Sequence, residues 1–477
     1  MELKKKAISG VKWVTVATVV NNGLQFLLIT ILARFLSKSD FGLMALVQVV
    51  VEFSSYFIDM GFSNIIIHKQ DISHKQLSSL YWLNILAGLI IFAVIYLLSP
   101  YLASFYNEPG LKPLLNLVGL TFIIIPLGQQ HKTLLQKELK FDVISKIDII
   151  SRFISIALAI YTGVKGYGVY ALAIMVLSNS IVSTLMLLYV GLKSHKPSLT
   201  FSHSELKGIY SFGVFQLGER TLNYFSGQFD TIIIGKLLGT SALGLYTVAK
   251  NLVMKPQQII NPIVTRVAFP MMAKVQDDND LLKKTYVSTI NYLSSINFPV
   301  HLAIFILAGP LTTLLFGNNW DQAIVLVKIL AVFAMLRSVF NPIGSLLLAK
   351  GRADLGFYWV IAFSIVTPPA IYLGGLWGLK GVCYAQVILM VVLFYPFYLM
   401  LVKKLINAKF WEYHFAVILP LLLSVAACIL PFIFEPFLNN YIAKVILVCS
   451  SGLLVYLLLS LRFNKDFINL MKSFISI

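Results

Sequence analysis

The fold is decided by residues 219–266, which read ERTLNYFSGQFDTIIIGKLLGTSALGLYTVAKNLVMKPQQIINPIVTR. This stretch contains two long apolar segments joined by a short link that holds Gly235, Gly239 and Gly244. Polar and charged side chains interrupt both segments. Because charged groups are costly in lipid, they usually face a protein interior or a water-filled path. We therefore predict a hairpin of two transmembrane helices with one polar side.

The link of this hairpin repeats a pattern found 202 positions earlier in the chain. The matching pairs are Arg34 and Lys236, Leu36 and Leu238, Ser39 and Ser241, Gly42 and Gly244, and Leu43 and Leu245. A second repeated pattern consists of two tripeptides that each precede a basic loop, Pro126-Leu127-Gly128 and Pro342-Ile343-Gly344. These matches predict a duplicated chain, and the two Pro-x-Gly segments are candidate hinges.

Composition places the chain in the membrane. Of its 477 residues 58% are hydrophobic and 12% are charged, and its mean hydropathy is +0.83. Soluble domains carry about 25% charged residues. The formal charge of +18 is explained by basic cytoplasmic loops, so we expect no nucleic-acid partner. The apolar run 13–32 exceeds the length typical of a signal peptide and is predicted to be a retained helix.

The apolar segments predict an all-α polytopic membrane protein of about 14 transmembrane helices. They lie near residues 13–33, 42–66, 79–98, 111–130, 147–163, 168–192, 210–235, 242–270, 286–308, 321–348, 356–374, 379–402, 413–434 and 441–461. Lysine and arginine are concentrated in every second loop, which predicts that both termini are cytoplasmic. Each set of six helices would then begin on the cytoplasmic side, so the two repeats are parallel.

The predicted domain organisation follows from these helices. Residues 1–192 form an N-lobe of helices 1–6, and residues 193–209 form a cytoplasmic linker. Residues 210–402 form a C-lobe of helices 7–12, and residues 403–477 hold helices 13 and 14 and a cytoplasmic tail. In transporters with such repeats the binding site lies at the repeat interface.

Polar residues form stripes on the leading helices of both repeats. They keep to one helical face at about 100° per residue, and four stripes predict a shared hydrated cavity rather than hydrogen-bonded helix contacts alone. The stripe residues that we assign to the cavity wall or to ion coupling are Asn22, Gln25, Gln48, Glu52, Asp59, Glu219, Asn223, Asp230 and Gln258.

Cations accompany these stripes and predict an anionic cargo. The candidate substrate-binding residues are Arg220, Lys250, Lys255, Arg266 and Arg337. Arginine binds two phosphate oxygens at once through its planar fork, whereas lysine acts as a point charge. The carboxylates of the stripes could pair with these cations or bind a coupling proton or sodium ion, and the sequence leaves both roles open.

Signals for enzymatic activity are weak. The chain contains no Gly-x-x-x-x-Gly-Lys-[Ser/Thr] loop, which argues against ATP hydrolysis. The seven histidines and three cysteines show no metal-ligand spacing. We therefore predict a protein that is not an enzyme and has no metal or organic cofactor, with coupling to a proton or sodium gradient as an open possibility.

Three segments resemble the polysaccharide transporter family of the multidrug/oligosaccharidyl-lipid/polysaccharide flippase superfamily. They are DTIIIGKLLG at 230–239, LGLY at 243–246 followed by Ala249, and LLQKELKF at 134–141. The resemblance covers essentially the whole chain and is strongest to the colanic-acid and teichuronic-acid exporter branch. It implies flipping of undecaprenyl-pyrophosphate-linked oligosaccharides across the bacterial inner membrane by alternating access. It also implies membrane lipids, a glycan polymerase and a chain-length regulator as partners.

Two alternatives remain at this stage. A multidrug antiporter of the same superfamily would have twelve core helices and an acidic cavity, whereas this chain has an extra helix pair and an excess of cations. A membrane glycan polymerase or ligase would normally need a sizeable outward loop, and no such loop is predicted here.

Overall fold

The computed structural model of the chain describes residues 2–59, 63, 66, 67, 71–199, 209–434 and 437–475. At positions 2–8, 59, 209–220, 222, 223, 430, 470 and 472–475 it describes the backbone alone. Every regular element within these ranges is a helix, as the sequence predicts.

Within the described residues, the first half of the chain contains eight long α-helices. Their bounds are α1 Glu2–Leu32, α2 Lys38–Asp59, α3 His74–Tyr106, α4 Leu111–Gly119, α5 Thr121–Lys137, α6 Phe141–Val164, α7 Tyr170–Gly191 and α8 Ile209–Lys274. The last of these is broken at Gly239, whose φ of 79° and ψ of 175° are not helical. We call the two parts α8a (209–238) and α8b (240–274).

Nine further α-helices follow among the described residues of the second half. Their bounds are α9 Asn279–Ile306, α10 Ala308–Phe316, α11 Asp321–Phe340, α12 Ile343–Ala349, α13 Ala353–Gly375, α14 Gly378–Phe397, α15 Phe410–Phe434, α16 Tyr441–Phe463 and α17 Lys465–Ile475. A π-helical segment, Tyr398–Lys403, and a single turn, Lys404–Ile406, extend α14.

Local sequence explains where several helices begin. Ser73 precedes α3 and accepts a hydrogen bond from the backbone of Gln76, whose side chain binds the backbone of Ser73 in return. The side chains of Asp278 and Asn440 likewise cap the N-terminal ends of α9 and α16. Such caps bind backbone N–H groups that have no partner within the helix.

Twelve helical segments of the described chain are long and apolar enough to cross a membrane. One of them, the 51-residue segment Tyr224–Lys274, contains two predicted helices on either side of Gly239. Thirteen of the fourteen predicted helices therefore overlap these segments at least in part. The remaining one, at 147–163, lies in α6, which is not among the twelve. The protein is a multi-pass membrane protein, and the count of fourteen stays a prediction.

The chain forms two compact units, Met1–Gly244 and Leu245–Ile477. The boundary lies just after the break at Gly239, so α8a belongs to the first unit and nearly all of α8b to the second. The lobe boundaries that the sequence predicts, with a linker at 193–209, stay a prediction.

One end of the first unit is held by contacts among its interhelix links. Asp40 accepts hydrogen bonds from Ser37 and from the backbone N–H of Val169, at 2.8 Å and 3.0 Å. Thr240 donates to Glu108 at 2.6 Å and shares a hydrogen bond of 2.8 Å with Ser39. These links are the ones that the charge pattern assigns to the outward side.

The core of the second unit is built around α9, which packs against α11 and α15. Tyr286, Ile290 and Phe298 of α9 are fully buried there. The helix α17 occupies part of the predicted cytoplasmic tail. It buries Phe467 and Ile468 against Tyr456 and Leu423, because its apolar residues fall on one face.

The two Pro-x-Gly segments differ in structure. Pro126 lies inside the continuous helix α5, whereas α11 ends at Phe340 and α12 begins at Ile343, so that Pro342 lies in the break between them. A proline inside a helix removes one hydrogen bond but does not by itself end a membrane helix. Only the second segment therefore interrupts its helix.

Candidate functional site

The helices α2 and α8a lie against each other in the first unit. Gln228 donates from Nε2 to Oε2 of Glu52 at 3.5 Å. One turn away, the Tyr224 hydroxyl donates to the backbone carbonyl of Val49 at 2.7 Å. Glu52 is a predicted stripe residue and is half-buried at this contact, whereas Gln228 lies about half a turn away from the predicted stripe of α8a. That the two predicted stripes face each other stays a prediction.

Asp230 lies two residues further along α8a, on a different side of the helix from Gln228, and is 6% exposed. Its Oδ1 accepts from the backbone N–H of Thr231 at 2.7 Å and from the Thr231 hydroxyl at 3.3 Å. That hydroxyl also bonds to Gln228 at 3.3 Å. The carboxylate is thus partly solvated by its own helix, which lowers the cost of burying a charge.

Aromatic rings border this polar contact. Phe53 of α2 packs against Tyr224 and Phe225 of α8a, with ring centroids 6.1 Å and 4.9 Å apart. Tyr56 meets the same Tyr224 edge to face at 5.6 Å. Rings with hydroxyls next to carboxylates and amides make a surface suited to sugar faces and their hydroxyl groups, because they combine apolar area with hydrogen-bonding groups.

The other stripe residues of the first unit are less buried. Asn22 and Gln25 on α1 are half-buried, and Asn22 donates to the carbonyl of Thr18 at 2.9 Å. Gln48 on α2 is exposed. The side chains of four candidates lie outside the described residues: Asp59, Glu219, Arg220 and Asn223.

In the second unit, α8b separates its polar residues onto two faces. Gln257 and Asn261 are buried against the unit's own core, at 6% and 2% exposure. Gln258 and Arg266 are exposed on the opposite side, and Lys255 is half-buried. The unit therefore leaves the predicted cationic face of α8b uncovered. A charged face that its own unit leaves open calls for water, an anion or other protein groups.

The two remaining predicted cations lie elsewhere. Lys250 is half-buried, with its ammonium group 5.4 Å from the ring centroid of Tyr246. It shares the face of Tyr246 and Gln257 rather than that of Arg266, because residues four and seven apart line up on a helix. Arg337 on α11 is exposed and lies over Phe333 at 5.8 Å. Among the residues that the structure describes, Arg266 and Arg337 form no ion pair.

The sequence reading missed two polar clusters. Lys132 of α5 binds Asp148 of α6 at 2.9 Å, one turn from Arg152. On α9, Asn297 donates to Asn261 at 3.0 Å, and its carbonyl contacts Nδ1 of His301 at 2.7 Å. The four-residue spacings of Asp148 and Arg152 and of Asn297 and His301 are visible in the sequence, but both pairs lie outside the leading helices of each repeat.

The described residues contain no group of three or more histidine, cysteine or acidic side chains that could hold a metal ion. Coupling to a proton or sodium gradient through the stripe carboxylates stays a prediction.

Comparisons with known proteins give consistent matches. The family described as "Polysaccharide biosynthesis protein" matches residues 31–325. The chain is 33% identical to the lipopolysaccharide biosynthesis protein WzxC of Escherichia coli K12, over 91% of this chain and 88% of that protein. It is 35% identical to the teichuronic acid biosynthesis protein TuaB of Bacillus subtilis 168, over 75% and 74%.

A solved structure shares the fold. The lipid II flippase MurJ, in an inward closed conformation, aligns with a TM-score of 0.74 over 95% of this chain and 99% of its own length. At 16% sequence identity this likeness shows the architecture alone.

Proposed function

Since the chain belongs to the polysaccharide biosynthesis protein family, we propose that it is a flippase for lipid-linked oligosaccharides in surface polysaccharide assembly. The cargo is an oligosaccharide repeat unit on undecaprenyl pyrophosphate. The protein carries the head group across the bacterial inner membrane by alternating access, with both termini in the cytoplasm. The names of the relatives and the fold shared with a lipid II flippase support this proposal.

One structural observation carries the chemistry of the proposal. Arg266 on α8b and Arg337 on α11 are exposed, within helices long and apolar enough to span a membrane. An unpaired guanidinium at such a place is costly unless water or an anion solvates it. The pyrophosphate of the cargo is an anion that Arg266 and Arg337 can bind through two oxygens at once.

The contact between α2 and α8a supports the sugar part of the proposal. Glu52, Gln228 and Tyr224 offer hydrogen-bonding groups beside the rings of Phe53 and Phe225. An oligosaccharide needs both kinds of contact, since its hydroxyls are polar and its ring faces are apolar. Glu52 is also the carboxylate at this contact that would bind a coupling proton or sodium ion.

The proposal includes no catalytic step. The protein moves a finished lipid-linked unit, and a separate glycan polymerase and a chain-length regulator act on that unit after it has crossed. Membrane lipids surround the apolar faces of the helices. Neither the drug-antiporter nor the polymerase interpretation gains support from the family matches.

The test is complementation combined with a direct transport assay. A strain without its own flippase should regain surface polysaccharide when this chain is expressed. Purified protein in liposomes should move a fluorescent undecaprenyl-pyrophosphate-linked oligosaccharide from the inner to the outer leaflet, where a membrane-impermeant enzyme can cleave it. No transport by well-folded protein with any such oligosaccharide would refute the proposal.

A further inference from the structure

The helix α6 contains charged side chains, some of which lie well inside the first unit. It contains Asp142, Lys146, Asp148 and Arg152 and packs along α1 and α7. The first two charges pair with each other near the start of the helix, at 3.8 Å. Asp148 and Arg152 lie further in. Ionisable groups at such depth are rare and usually functional.

The alignment of α1 with α6 shows which residues of the two helices lie at the same level. A Cβ on Gly10 would lie 2.7 Å from the ring of Phe141, and one on Gly163 would lie 2.5 Å from Leu32. Both contacts join residues 131 positions apart, so the helices run parallel and in register along their length. Arg152 is therefore level with Asn21, and Asp148 is level with Ala17.

Asp148 and Arg152 lie on the face of α6 that packs against α1. Ser145, Ile156 and Ala159 share this face and are at most 5% exposed, since positions three and four apart line up along a helix. On α1 the matching face contains Ala17 and Asn21. The side-chain oxygen of Asn21 is buried and has no hydrogen-bond donor among the described residues.

The charges in this cluster do not balance. Lys132 binds Asp148 at 2.9 Å, and both side chains are about one third exposed, at 29% and 34%. Asp148 is also the charged group whose field acts on Arg152. One carboxylate thus serves two cations, and the cluster of Lys132, Asp148 and Arg152 has a net charge of +1. A partly buried surplus cation is stabilised by a further anion.

The position of Arg152 along α6 indicates which kind of anion can reach it. The 24 residues of α6 extend about 36 Å, and Arg152 lies near the midpoint. Lys132 lies about 7 Å from the end of α5. The head group of a resident phospholipid stays at the membrane surface, so a phosphate that reaches Arg152 belongs to a molecule in transit.

We propose that Lys132, Arg152 and the amide N–H group of Asn21 form a phosphate-binding station for the cargo in the unit Met1–Gly244, with Arg152 near the midpoint of α6 and Lys132 nearer to the end of α5. This inference rests on the proposed flippase function. Arg152 supplies the bidentate contact and Lys132 the second charge, and Asp148 holds both cations in place while the station is empty. The station is separate from the cations of α8b and α11.

Binding of undecaprenyl pyrophosphate to purified protein tests the station. Arg152→Gln should lower the affinity about tenfold or more, because a charge-assisted hydrogen bond is lost. Arg152→Lys should show an intermediate loss, because charge is kept without the fork. Lys146→Gln is the matched control, since its exposed pair with Asp142 lies on the same helix outside the station, and it should bind like the parent.

Two further measurements separate the outcomes. Melting temperatures distinguish a binding role from simple helix packing: unchanged affinity with a lowered melting temperature in Arg152→Gln and Lys132→Gln overturns the station. Phosphatidylglycerol in the same assay should bind equally well to the parent and to Arg152→Gln. If Arg152→Gln loses affinity for phosphatidylglycerol alone, the proposed station is also overturned. If Arg152→Gln does not fold, the comparison of Arg152→Lys and Lys132→Gln with the parent decides. Failure of the parent to flip any lipid-linked oligosaccharide would refute the flippase proposal instead.

Discussion

Gly42 and Gly244, 202 positions apart, make the same contact with each other's helix. A Cβ on Gly42 would overlap the backbone carbonyl of Thr240, and a Cβ on Gly244 would overlap that of Lys38. Lys38 and Thr240 are themselves 202 positions apart and begin α2 and α8b. The starts of these helices thus cross with local twofold symmetry, so closely that neither glycine leaves room for a Cβ.

Because the helices touch at this crossing, replacing either glycine by a residue with even a small side chain should lower the stability of the protein. Gly42→Val and Gly244→Val should each cost about 1–3 kcal/mol of stability, because an overpacked contact with backbone cannot relax easily. Thermal denaturation of the purified variants measures the effect. Gly23→Val is the control, since nothing lies within 4 Å of its added Cβ. Equal melting temperatures in all three variants would contradict the crossing.

Cysteine labelling in intact cells tests the predicted topology. In a background without Cys383, Cys428 and Cys449, single cysteines at Lys165 and Asn439 should react with a membrane-impermeant maleimide. Cysteines at Lys140 and Lys404 should react only after the membrane is permeabilised, because the basic loops are predicted to be cytoplasmic. External labelling at Lys140 would invert the orientation of the first repeat.

The guanidinium of Arg266 is predicted to bind the cargo pyrophosphate. Arg266→Ala should reduce transport about tenfold or more, since a charged hydrogen bond contributes about 1.5–3 kcal/mol. Arg266→Lys should recover only part of this loss, because the bidentate fork is missing. Arg462→Ala removes an exposed arginine at the end of α16 and should transport normally. Parental transport by Arg266→Ala would remove this residue from the site.

Glu52 is predicted to respond to the coupling ion. Glu52→Gln keeps the size of the side chain and a hydrogen bond to Gln228 but removes the charge. Transport driven by an imposed pH or sodium gradient should fall well below that of the parent, while the melting temperature stays the same. The carboxylate Glu108, which binds Thr240, provides the comparison variant Glu108→Gln. Gradient-driven transport equal to that of the parent would leave Glu52 a purely structural group.

Stability should fall in mild acid through His195. Burial, and then the nearby His74, whose ring centroid is 4.7 Å away, lower the pKa of His195. The folded protein therefore binds fewer protons here than the unfolded chain, so this contribution is complete above about pH 6.5 and is lost as the pH falls below it. The melting temperature should fall less between pH 7 and 5.5 in His195→Asn than in the parent. The same pH dependence in both proteins would contradict this assignment.

The sequence by itself determined the class of fold. Twenty-residue apolar segments have few alternatives to helices in lipid. The 202-residue repeat predicted the duplication that relates Gly42 to Gly244, but not that the two helix starts cross there. The spacing of the polar residues in α2 predicted the face that holds Glu52, because a helix turns by a fixed angle per residue, whereas Gln228, the partner of Glu52 on α8a, lies off the predicted stripe.

Tertiary structure alone decided which polar residues meet. The local spacing of Asp148 and Arg152 does not reveal that Lys132 of α5 forms an ion pair with Asp148. It also does not reveal that Asn21, whose side-chain oxygen has no donor among the described residues, lies level with the guanidinium of Arg152. Likewise, the sequence does not distinguish Lys250, over the ring of Tyr246, from Arg266 on the open face of α8b. A periodic pattern fixes the face of a helix, whereas the partner of that face depends on how separate helices pack.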